Sequence, residues 1–307
     1  MPLNQSPYNK LPAARAGSLP ARFRRERVLI VGCGDVGLRA AQILRARVRL
    51  LALTSSVART SELRARGITP LQGNLDAPDE LRRLAGLATR VLYLAPPSGS
   101  GEGDPRTLAL VRALRRRGLP ISLVYGSTSG VYGDCQGEVV VETRTTHAET
   151  PRAARRLDAE NSIRFLGRAT PVRVGILRIP GIYASDREGG TPRARLEKGM
   201  PVLQASDDVY TNHIHADDLA RACVAALWRS QAQRIYNVND DSQLKMGDYF
   251  DLAADRYGLP RPPRIPRSTA RNQMPLMLLS FMNESRRMDN SRMKRELRLK
   301  LRYPTIA

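Results

Sequence analysis

Cysteine, aromatic residues and long apolar runs are all scarce in this chain of 307 residues, and each scarcity excludes a class of protein. The three cysteines, Cys33, Cys135 and Cys223, lie far apart and form no CxxC pair, so we expect neither a disulfide framework nor a cysteine-based metal site. Aromatic residues make up 5% of the sequence, too few for the stacking platform on which proteins hold single-stranded nucleic acid. The longest apolar candidate, residues 274–282, is interrupted and falls short of the roughly 18 residues that a membrane helix needs, so we expect no membrane partner.

The formal charge of +21 at pH 7 suggests a polyanionic partner, but its distribution does not support a specific one. Nearly all of the excess is arginine, which is scattered along the chain rather than gathered in one arm or one helix. No zinc-finger, basic-zipper or RNP pattern is present, so we expect no specific nucleic acid partner, only salt-sensitive retention. The basic N-terminus lacks the apolar stretch of a secretory signal, and the widely spaced cysteines suit a reducing compartment. We therefore expect a cytoplasmic protein.

Residues 27–37 read RVLIVGCGDVG and form the most informative stretch of the chain. A short apolar strand runs directly into three spaced glycines and then into a helical pattern, which is the order of a dinucleotide-binding βα unit. Gly32 would allow the tight turn, Gly34 would let a pyrophosphate approach the backbone and the helix N-terminus, and Gly37 would let the helix pack on the strand. The same glycines could also form a plain βα turn that binds nothing. The candidate cofactor residues here are Gly32, Gly34, Asp35, Val36 and Gly37.

From residue 27 onward, short apolar strands alternate with amphipathic helices, which is typical of a doubly wound parallel α/β sheet, the Rossmann fold. The predicted strands are 28–31, 48–53, 69–72, 91–94, 121–125, 172–178 and 235–238. The predicted helices are 35–46, 58–66, 78–86, 104–117, 151–168 and 216–230. The predicted units are a mobile leader, a nucleotide-binding domain and a smaller C-terminal substrate lobe: 1–25, then 26–180 plus 213–239, then 181–212 plus 240–307.

The end of the second strand selects the cofactor in folds of this kind, because an acidic residue there binds the ribose hydroxyls of NAD. This chain has Thr54 and Ser55 at that point, with Arg59 close behind and no acidic residue before Glu62. Small polar and basic residues suit a 2′-phosphate, so we expect NADP(H) in preference to NAD(H). The alternative is that Arg59 is a solvated helix residue with no part in binding.

Two further strand ends carry candidate cofactor residues. Asn74 and Leu75 follow the third strand, where a polar side chain commonly meets the adenine. Ala95, Pro96 and Pro97 follow the fourth strand, beside the expected position of the nicotinamide ribose.

Four later motifs extend this pattern. They read YGSTSGVYG at 125–133, LRIPGIY at 177–183, NHIHADDLA at 212–220 and IYNV at 235–238. In order and spacing they resemble an extended or atypical short-chain dehydrogenase/reductase of the NAD-dependent epimerase/dehydratase type. The resemblance covers about residues 27–240 and implies a nicotinamide cofactor and a small-molecule substrate.

The resemblance also implies three catalytic positions. A Ser or Thr four residues before the tyrosine of VYG hydrogen-bonds the reacting oxygen of a sugar-like or ketone substrate, and Thr128 holds that position. A Tyr acid/base and a Lys four residues later are expected in the helix at 151–168, but Arg152 and Arg156 stand there. Arginine stays protonated near neutral pH, so neither residue can shuttle a proton. Arg156 could still anchor the cofactor ribose, and Arg152 could clamp an anionic substrate.

The missing acid leaves two tyrosines as candidates. No tyrosine lies between Tyr132 and Tyr183, so a shift of register does not restore the usual dyad. Either of these two could supply the proton, and packing in the core is the competing role of each. The other polar candidates, His213 and His215, would share one face of a strand, but no third ligand is evident and we expect no metal.

These patterns predict an oxidoreductase or a hydride-assisted epimerase that acts on a polar, anionic or sugar-like metabolite. Four basic residues of the lobe are expected around the mouth of its pocket: Arg178, Arg193, Arg195 and Lys198. Because the usual dyad is absent, the competing hypothesis is a catalytically silent dinucleotide-binding regulator or scaffold.

Proteins that the chain resembles commonly pair through two helices, here 104–117 and 151–168. An apolar stripe on the first helix comprises Leu108, Val111 and Leu114, and a less regular one on the second comprises Leu157, Ile163 and Leu166. The stripes suggest a homodimer, unless both face their own sheet.

Overall fold

The structure, a computed structural model, describes residues 26–274, 279 and 282–306. The predicted mobile leader, residues 1–25, lies outside the described residues. In chain order the elements are β1 (Arg27–Val31), α1 (Asp35–Leu44), β2 (Arg49–Thr54), α2 (Arg59–Ala65), β3 (Thr69–Gln72), a 3₁₀ helix (Pro78–Leu84), β4 (Arg90–Tyr93), α3 (Pro105–Leu114), β5 (Ser122–Thr128), a 3₁₀ helix (Ser129–Tyr132), β6 (Val139–Val140), α4 (Pro151–Ala169), β7 (Arg173–Ile179), β8 (Gly181–Tyr183), α5 (Arg193–Glu197), β9 (Val202–Leu203), β10 (His213–His215), α6 (Ala216–Arg229), β11 (Arg234–Asn237), α7 (Met246–Tyr257), β12 (Arg264–Ile265), α8 (Arg267–Gln273), β13 (Arg287–Met288) and α9 (Ser291–Glu296).

Seven parallel strands form the main sheet in the order β3-β2-β1-β4-β5-β7-β11, which confirms the predicted Rossmann-type α/β class. Each predicted strand is present. Inner strands such as β1 and β2 are runs rich in Val, Ile and Leu that suit burial on both faces, whereas the edge strand β3 is only partly buried. The strand order reverses beside β1, which pairs with β2 on one side and β4 on the other. In sheets of this type the ligand crevice lies at the carboxyl ends of the strands at that switch point.

Helices cover both faces of the sheet. On one face α1 and α6 bury Leu44 and Leu219, and on the other α3 and α4 bury Leu110 and Ile163. The helical phase of the apolar residues therefore matches the faces that meet the strands. Within the described ranges, no helix is both long and apolar enough to cross a membrane.

The segment at 78–86 is a 3₁₀ helix over Pro78–Leu84, which differs from the helix that its sequence predicts. Proline begins it, and Gly86 follows it in the left-handed region with φ 72°. These two residues confine the segment to about two turns, and short segments of this kind commonly take 3₁₀ geometry.

A second, smaller core lies beside the main sheet and includes Val202, Val209 and Phe250. The segment that follows α9 packs instead on the core of the main sheet, where Leu297, Leu299 and Leu301 alternate with charged residues and so present one apolar face. The predicted lobe, 181–212 plus 240–307, thus contains residues of both cores. Its bounds stay a prediction.

The predicted dimer stripes mostly face their own sheet. Four of their residues are buried between the sheet and its helices: Val111, Leu114, Ile163 and Leu166. Leu108 and Phe165 are 40% and 53% exposed, which leaves one open apolar side chain on each helix. The stripe prediction is wrong for the four buried residues, because the spacing that suggested an interface is also the spacing with which a helix covers its own sheet.

Candidate functional site

The glycine turn joins β1 to α1 at the switch point of the sheet, and each glycine has a different steric reason to be there. Gly32 has φ 88°, and a Cβ added to it would lie 2.3 Å from the backbone nitrogen of Ala95. A Cβ on Gly37 would lie 2.9 Å from the carbonyl oxygen of Gly32, so this glycine lets α1 approach the turn. A Cβ on Gly34 would meet no described atom within 4 Å. Gly32 and Gly37 are therefore required by packing, whereas Gly34 borders open space.

That open space lies at the N-terminus of α1. Gly34 is the N-cap, and no side chain of the described residues caps the helix there. The backbone N–H groups that begin the helix at Asp35 and Val36 carry partial positive charge, which favours an anion. The space and the uncapped donors fit the pyrophosphate of a dinucleotide.

Around the end of β2, the structure separates the roles of Thr54, Ser55 and Arg59. Thr54 is buried, and its hydroxyl accepts a hydrogen bond of 3.2 Å from the backbone N–H of Ser56, so it shapes the turn. Ser55 is exposed. Arg59 is about one third exposed, and its Nε lies 3.4 Å from Glu62, which is a loose pairing.

Arg59 also lies near the glycine turn. Burial raises the pKa of the Cys33 thiol to about 11, and the positive charge of Arg59 is the largest opposing influence. Cys33 stands between Gly32 and Gly34, so the charge of Arg59 acts on a residue of the glycine turn.

The loops that follow β3 and β4 are joined by Arg106, a residue that the sequence patterns did not single out. Asp76, two residues after Asn74, binds Arg106 through both carboxylate oxygens at 2.6 and 2.7 Å. The same guanidinium donates at 3.3 Å to the carbonyl oxygens of Pro96 and Pro97. Arg106 thereby fixes the loop after β4 against the loop after β3.

The side chains in these two loops are placed differently. Asn74 is exposed and its Oδ1 accepts from the backbone N–H of Asp76 at 3.0 Å, which closes a turn. Leu75 packs on the core between the sheet and α3, and Ala95 is buried against Gly32. Of the predicted residues here, Asn74 alone offers a polar side chain to solvent.

Thr128 ends β5, which lies between β4 and β7 in the sheet. It is partly buried, and its hydroxyl oxygen accepts from the backbone N–H of Gly130 at 3.3 Å. In the described part of the chain that hydroxyl donates to no group, so its proton is free to reach a ligand.

Arg156 is the best-anchored of the candidate residues. Its Nη1 lies 2.7 Å from the carbonyl oxygen of Gly126, 3.1 Å from the Tyr125 hydroxyl and 3.4 Å from the carbonyl oxygen of Ala95. The residue is 9% exposed, and no carboxylate of the described residues lies within 4 Å of its guanidinium. Arg156 therefore brings an unneutralised charge to the point where β4 and β5 end.

Arg152, one turn earlier on α4, behaves differently. Its side chain is exposed and forms no hydrogen bond or ion pair with the residues that the structure describes. The position that would hold the acid/base in the resembled proteins is thus occupied by a free cation.

The hydroxyl groups of the two candidate tyrosines are both engaged elsewhere. Tyr132 is 1% exposed and its hydroxyl donates to Oδ1 of Asn237 at 2.7 Å. The hydroxyl of Tyr183 donates to the carbonyl oxygen of Thr305 at 3.2 Å. Burial raises the pKa of both phenols, so each holds its proton more tightly than a free tyrosine does.

Beneath Thr128 lies a buried polar network that sequence reasoning missed. Ser127 and Arg178 are opposite each other on β5 and β7, and both face Glu160 of α4. The Ser127 hydroxyl donates to Glu160 at 2.6 Å, and Arg178 donates to both oxygens of the same carboxylate at 3.1 and 2.8 Å. The partners are distant in sequence, so no local pattern could have found them.

The basic residues predicted around a pocket mouth do not gather there. Arg178 is 2% exposed and lies in the network just described. Arg193 pairs with Glu197 on the same helix, and Arg195 stacks on the ring of Phe250 at 4.4 Å inside the second core. Lys198 is the C-cap residue of α5. The prediction is wrong for Arg178, which is buried in its ion pair with Glu160, while Arg195 is half-buried and packs on Phe250.

The two histidines are both buried. His215 is the N-cap of α6 and its Nδ1 accepts from the backbone N–H of Asp217 at 3.2 Å. Burial lowers the pKa of His213 to about 4. Over the described ranges, no group of three or more His, Cys, Asp or Glu side chains could hold a metal ion.

Comparisons with known proteins agree with this geometry. Residues 28–239 match the model of the NAD dependent epimerase/dehydratase family. No curated protein matches the chain by sequence.

Several solved structures share the fold. A functionally unknown conserved protein from Silicibacter pomeroyi superposes with a TM-score of 0.73 at 26% identity, over 91% of this chain and 95% of its own. A nucleoside-diphosphate-sugar epimerase from Pseudomonas aeruginosa gives a TM-score of 0.73 at 20% identity, over 92% and 93% of the two chains. UDP-glucuronic acid 4-epimerase from Bacillus cereus, in complex with NAD, gives 0.71 at 17% identity, over 92% and 94%.

Proposed function

Since the chain belongs to the NAD-dependent epimerase/dehydratase family, we propose that it binds a nicotinamide dinucleotide at the glycine turn and oxidises, reduces or epimerises a polar metabolite. The observation that carries the proposal is the open space at Gly34, which lies between two glycines that packing requires. When bound, the nicotinamide supplies a hydride donor or acceptor. The residues of this chain then have to hold the substrate oxygen, exclude water and supply or remove a proton.

Thr128 and Arg156 are the residues that we assign to the reacting end of the site. The free proton of the Thr128 hydroxyl can hydrogen-bond the carbonyl or hydroxyl oxygen of the substrate. Arg156 can hydrogen-bond the nicotinamide ribose from its anchored position between β4 and β5. Neither group is an acid near neutral pH, so they position a substrate and do not protonate it.

The charge at this end favours an anionic or sugar-like substrate. Arg156 contributes a buried cation that no described carboxylate neutralises, whereas the charge of Arg178 is balanced by Glu160. Exposed Arg152 adds a second positive charge on the helix of Arg156. The Bacillus cereus epimerase, whose substrate is UDP-glucuronic acid, has the same fold. A phosphorylated or carboxylated ligand would offset the excess charge of this chain.

We further propose that NADP(H) is preferred over NAD(H). Thr54 and Ser55 bring no carboxylate to the end of β2, and the loose pairing of Arg59 with Glu62 at 3.4 Å leaves its guanidinium available. Structural relatives include proteins solved with NAD, so the preference is a property of this chain and not of its fold.

Arg59→Ala should remove most of that preference. A charge-assisted hydrogen bond to the 2′-phosphate is worth about 1.5–3 kcal/mol, so we expect NADPH to bind the native protein about ten to a hundred times more tightly than NADH. In the variant the two affinities should converge, because NADPH loses its partner and NADH loses nothing. Calorimetric titration with both cofactors measures this, and equal affinities in the native protein would contradict the proposal.

A second function remains open because no proton donor occupies the usual place. Arg152 cannot act as an acid. The hydroxyl groups of Tyr132 and Tyr183 donate hydrogen bonds to Asn237 and Thr305. These contacts favour a catalytically silent dinucleotide-binding regulator or scaffold as the alternative.

Turnover separates the two functions. We expect NADPH to bind in both cases, but only an enzyme will consume it in the presence of a suitable carbonyl compound or interconvert a sugar nucleotide. The experiment follows NADPH absorbance and product formation with aldehydes, keto acids and nucleoside-diphosphate sugars. Binding without turnover on the whole panel would support the silent alternative, and the absence of binding would contradict both.

We also propose a cytoplasmic location and a homodimer. All three cysteines are buried and unpaired, which is compatible with a reducing compartment. Leu108 and Phe165 provide exposed apolar side chains on α3 and α4, where a second subunit could pack.

A further inference from the structure

The loop that follows β8 reaches back to the glycine turn. It closes on itself through three backbone hydrogen bonds, among them one from the N–H of Ala184 to the carbonyl oxygen of Gly190 at 3.2 Å. A Cβ on Gly190 would lie 2.5 Å from the carbonyl oxygen of Ala184, so the tight closure needs glycine there. We call residues 184–190 the strap. Its compact shape fixes the direction in which Arg187 leaves the backbone.

Ion pairs hold the strap against α1. Arg187 donates to the carboxylate of Asp35, the first residue of α1. Arg39, one turn along the same helix, donates to Asp35 at 2.9 Å, to Asp186 of the strap at 2.7 Å and to Asp217 of α6 at 2.6 Å. The strap is thus joined at two points to the helix whose N-terminus faces the open space.

The charges of this cluster do not balance in the absence of a ligand. Three carboxylates, Asp35, Asp186 and Asp217, face two guanidinium groups, those of Arg39 and Arg187. Asp35 also follows Gly34 directly, so its carboxylate lies beside the space that fits a pyrophosphate. Without Arg187, the Asp35 carboxylate would keep only Arg39, which it shares with Asp186 and Asp217, and it would repel a dianion.

Arg187 can offset the repulsion between the Asp35 carboxylate and a dianionic ligand. It uses Nη1 on Asp35, while its Nε and Nη2 have no hydrogen-bond partner in the part of the chain that the structure describes. Its side chain is 30% exposed, so a ligand can reach these nitrogens. A guanidinium can bind a phosphate through two parallel N–H groups while a third contacts a carboxylate.

We propose that Arg187 binds the pyrophosphate of the dinucleotide, together with the N–H groups at the start of α1. The proposal rests on the proposed cofactor site. Asp35 pairs with the same guanidinium and so competes with the ligand for its charge. Arg187 lies about 150 positions after the glycine turn, which is why motif reading does not find it.

Binding of NADH and ADP-ribose to Arg187→Ala tests the proposal by calorimetry. We expect both ligands to bind roughly ten to a hundred times more weakly than to the native protein, since both carry the pyrophosphate. The affinity for NADH should also depend less steeply on KCl in the variant, because a phosphate–guanidinium contact has been lost. Arg261→Ala is the control, because Arg261 also forms an ion pair with an aspartate, Asp255, outside this cluster. Circular dichroism confirms that each variant is folded.

Asp35→Asn distinguishes ligand binding from a merely structural pair. This substitution removes a negative charge beside the pyrophosphate and frees Arg187, so NADH should bind at least as tightly as it does to the native protein. If the pair only holds the strap in place, Asp35→Asn and Arg187→Ala should weaken binding alike, and the proposal is wrong. Tighter binding to Arg187→Ala would show that the strap obstructs the site, and unchanged binding would also overturn the proposal. If the native protein binds neither NADH nor NADPH, the proposed function itself has failed.

Discussion

Gly34→Val should abolish the binding of NADH and NADPH and leave the fold unchanged. Gly34 has φ −80°, which any residue can adopt, and a Cβ there meets no described atom within 4 Å. The valine side chain would therefore be accommodated by the protein but would fill the space that the pyrophosphate needs. Calorimetric titration measures the loss, and the melting temperature from circular dichroism shows that the fold is retained.

Two other glycines provide the controls for this experiment. Gly118→Val also places a side chain in open space, but away from the site, so it should bind both cofactors as the native protein does. Gly32→Val should instead destabilise the fold, because its Cβ would lie 2.3 Å from the backbone of Ala95. Undiminished cofactor binding by a folded Gly34→Val variant would show that the dinucleotide site is elsewhere.

Arg152→Tyr combined with Arg156→Lys should raise the rate of carbonyl reduction. The double change supplies the phenol and the ammonium that the resembled enzymes use, on a helix whose first turn already borders the site. A positioned general acid typically contributes about 10²–10⁴-fold to the rate, so the gain should be of that order for a substrate that the pocket accepts. The lysine ammonium can still donate to the carbonyl oxygen of Gly126, which preserves part of the anchoring that Arg156 provides. Single-turnover oxidation of NADPH measures the gain.

The single variants identify the acid if the native protein is already active. Arg156→Lys alone should not raise the rate, since it adds no acid, and it serves as the control for the double variant. Brisk native turnover that survives Arg152→Ala but is lost in Tyr132→Phe or Tyr183→Phe would contradict the assignment. In that case the phenol must leave its contact with Asn237 or Thr305 during the reaction.

The sequence predicts the central sheet well because strand formation here is a local matter. The inner strands of the large sheet are short apolar runs, and burial on both faces rewards such a run wherever it lies in the order. The glycine turn is predictable for the same reason, since Gly32 and Gly37 are required by contacts within one βα unit and with the residues that follow β4.

Features that depend on distant partners were not predictable. Arg106, Arg187 and Glu160 look like ordinary charged residues of a surface helix or loop until the fold places Asp76, Asp35 and Arg178 beside them. The prediction that the apolar stripes form a dimer interface was wrong for a different reason. Their helical spacing is real, but a helix that covers a sheet and a helix that covers a second subunit have the same apolar period, so sequence alone cannot separate them.

The packing of residues 297–301 on the main core has a consequence for the order in which the chain can fold. Leu297, Leu299 and Leu301 complete the apolar layer around α1 and α6, yet they leave the ribosome only after all seven strands have done so. During synthesis the nucleotide-binding half is therefore present in full but lacks part of its covering, and we expect it to stay loosely packed until this segment docks. We therefore expect the N-terminal half of this chain to reach its final packing only after the C-terminal segment has been synthesised.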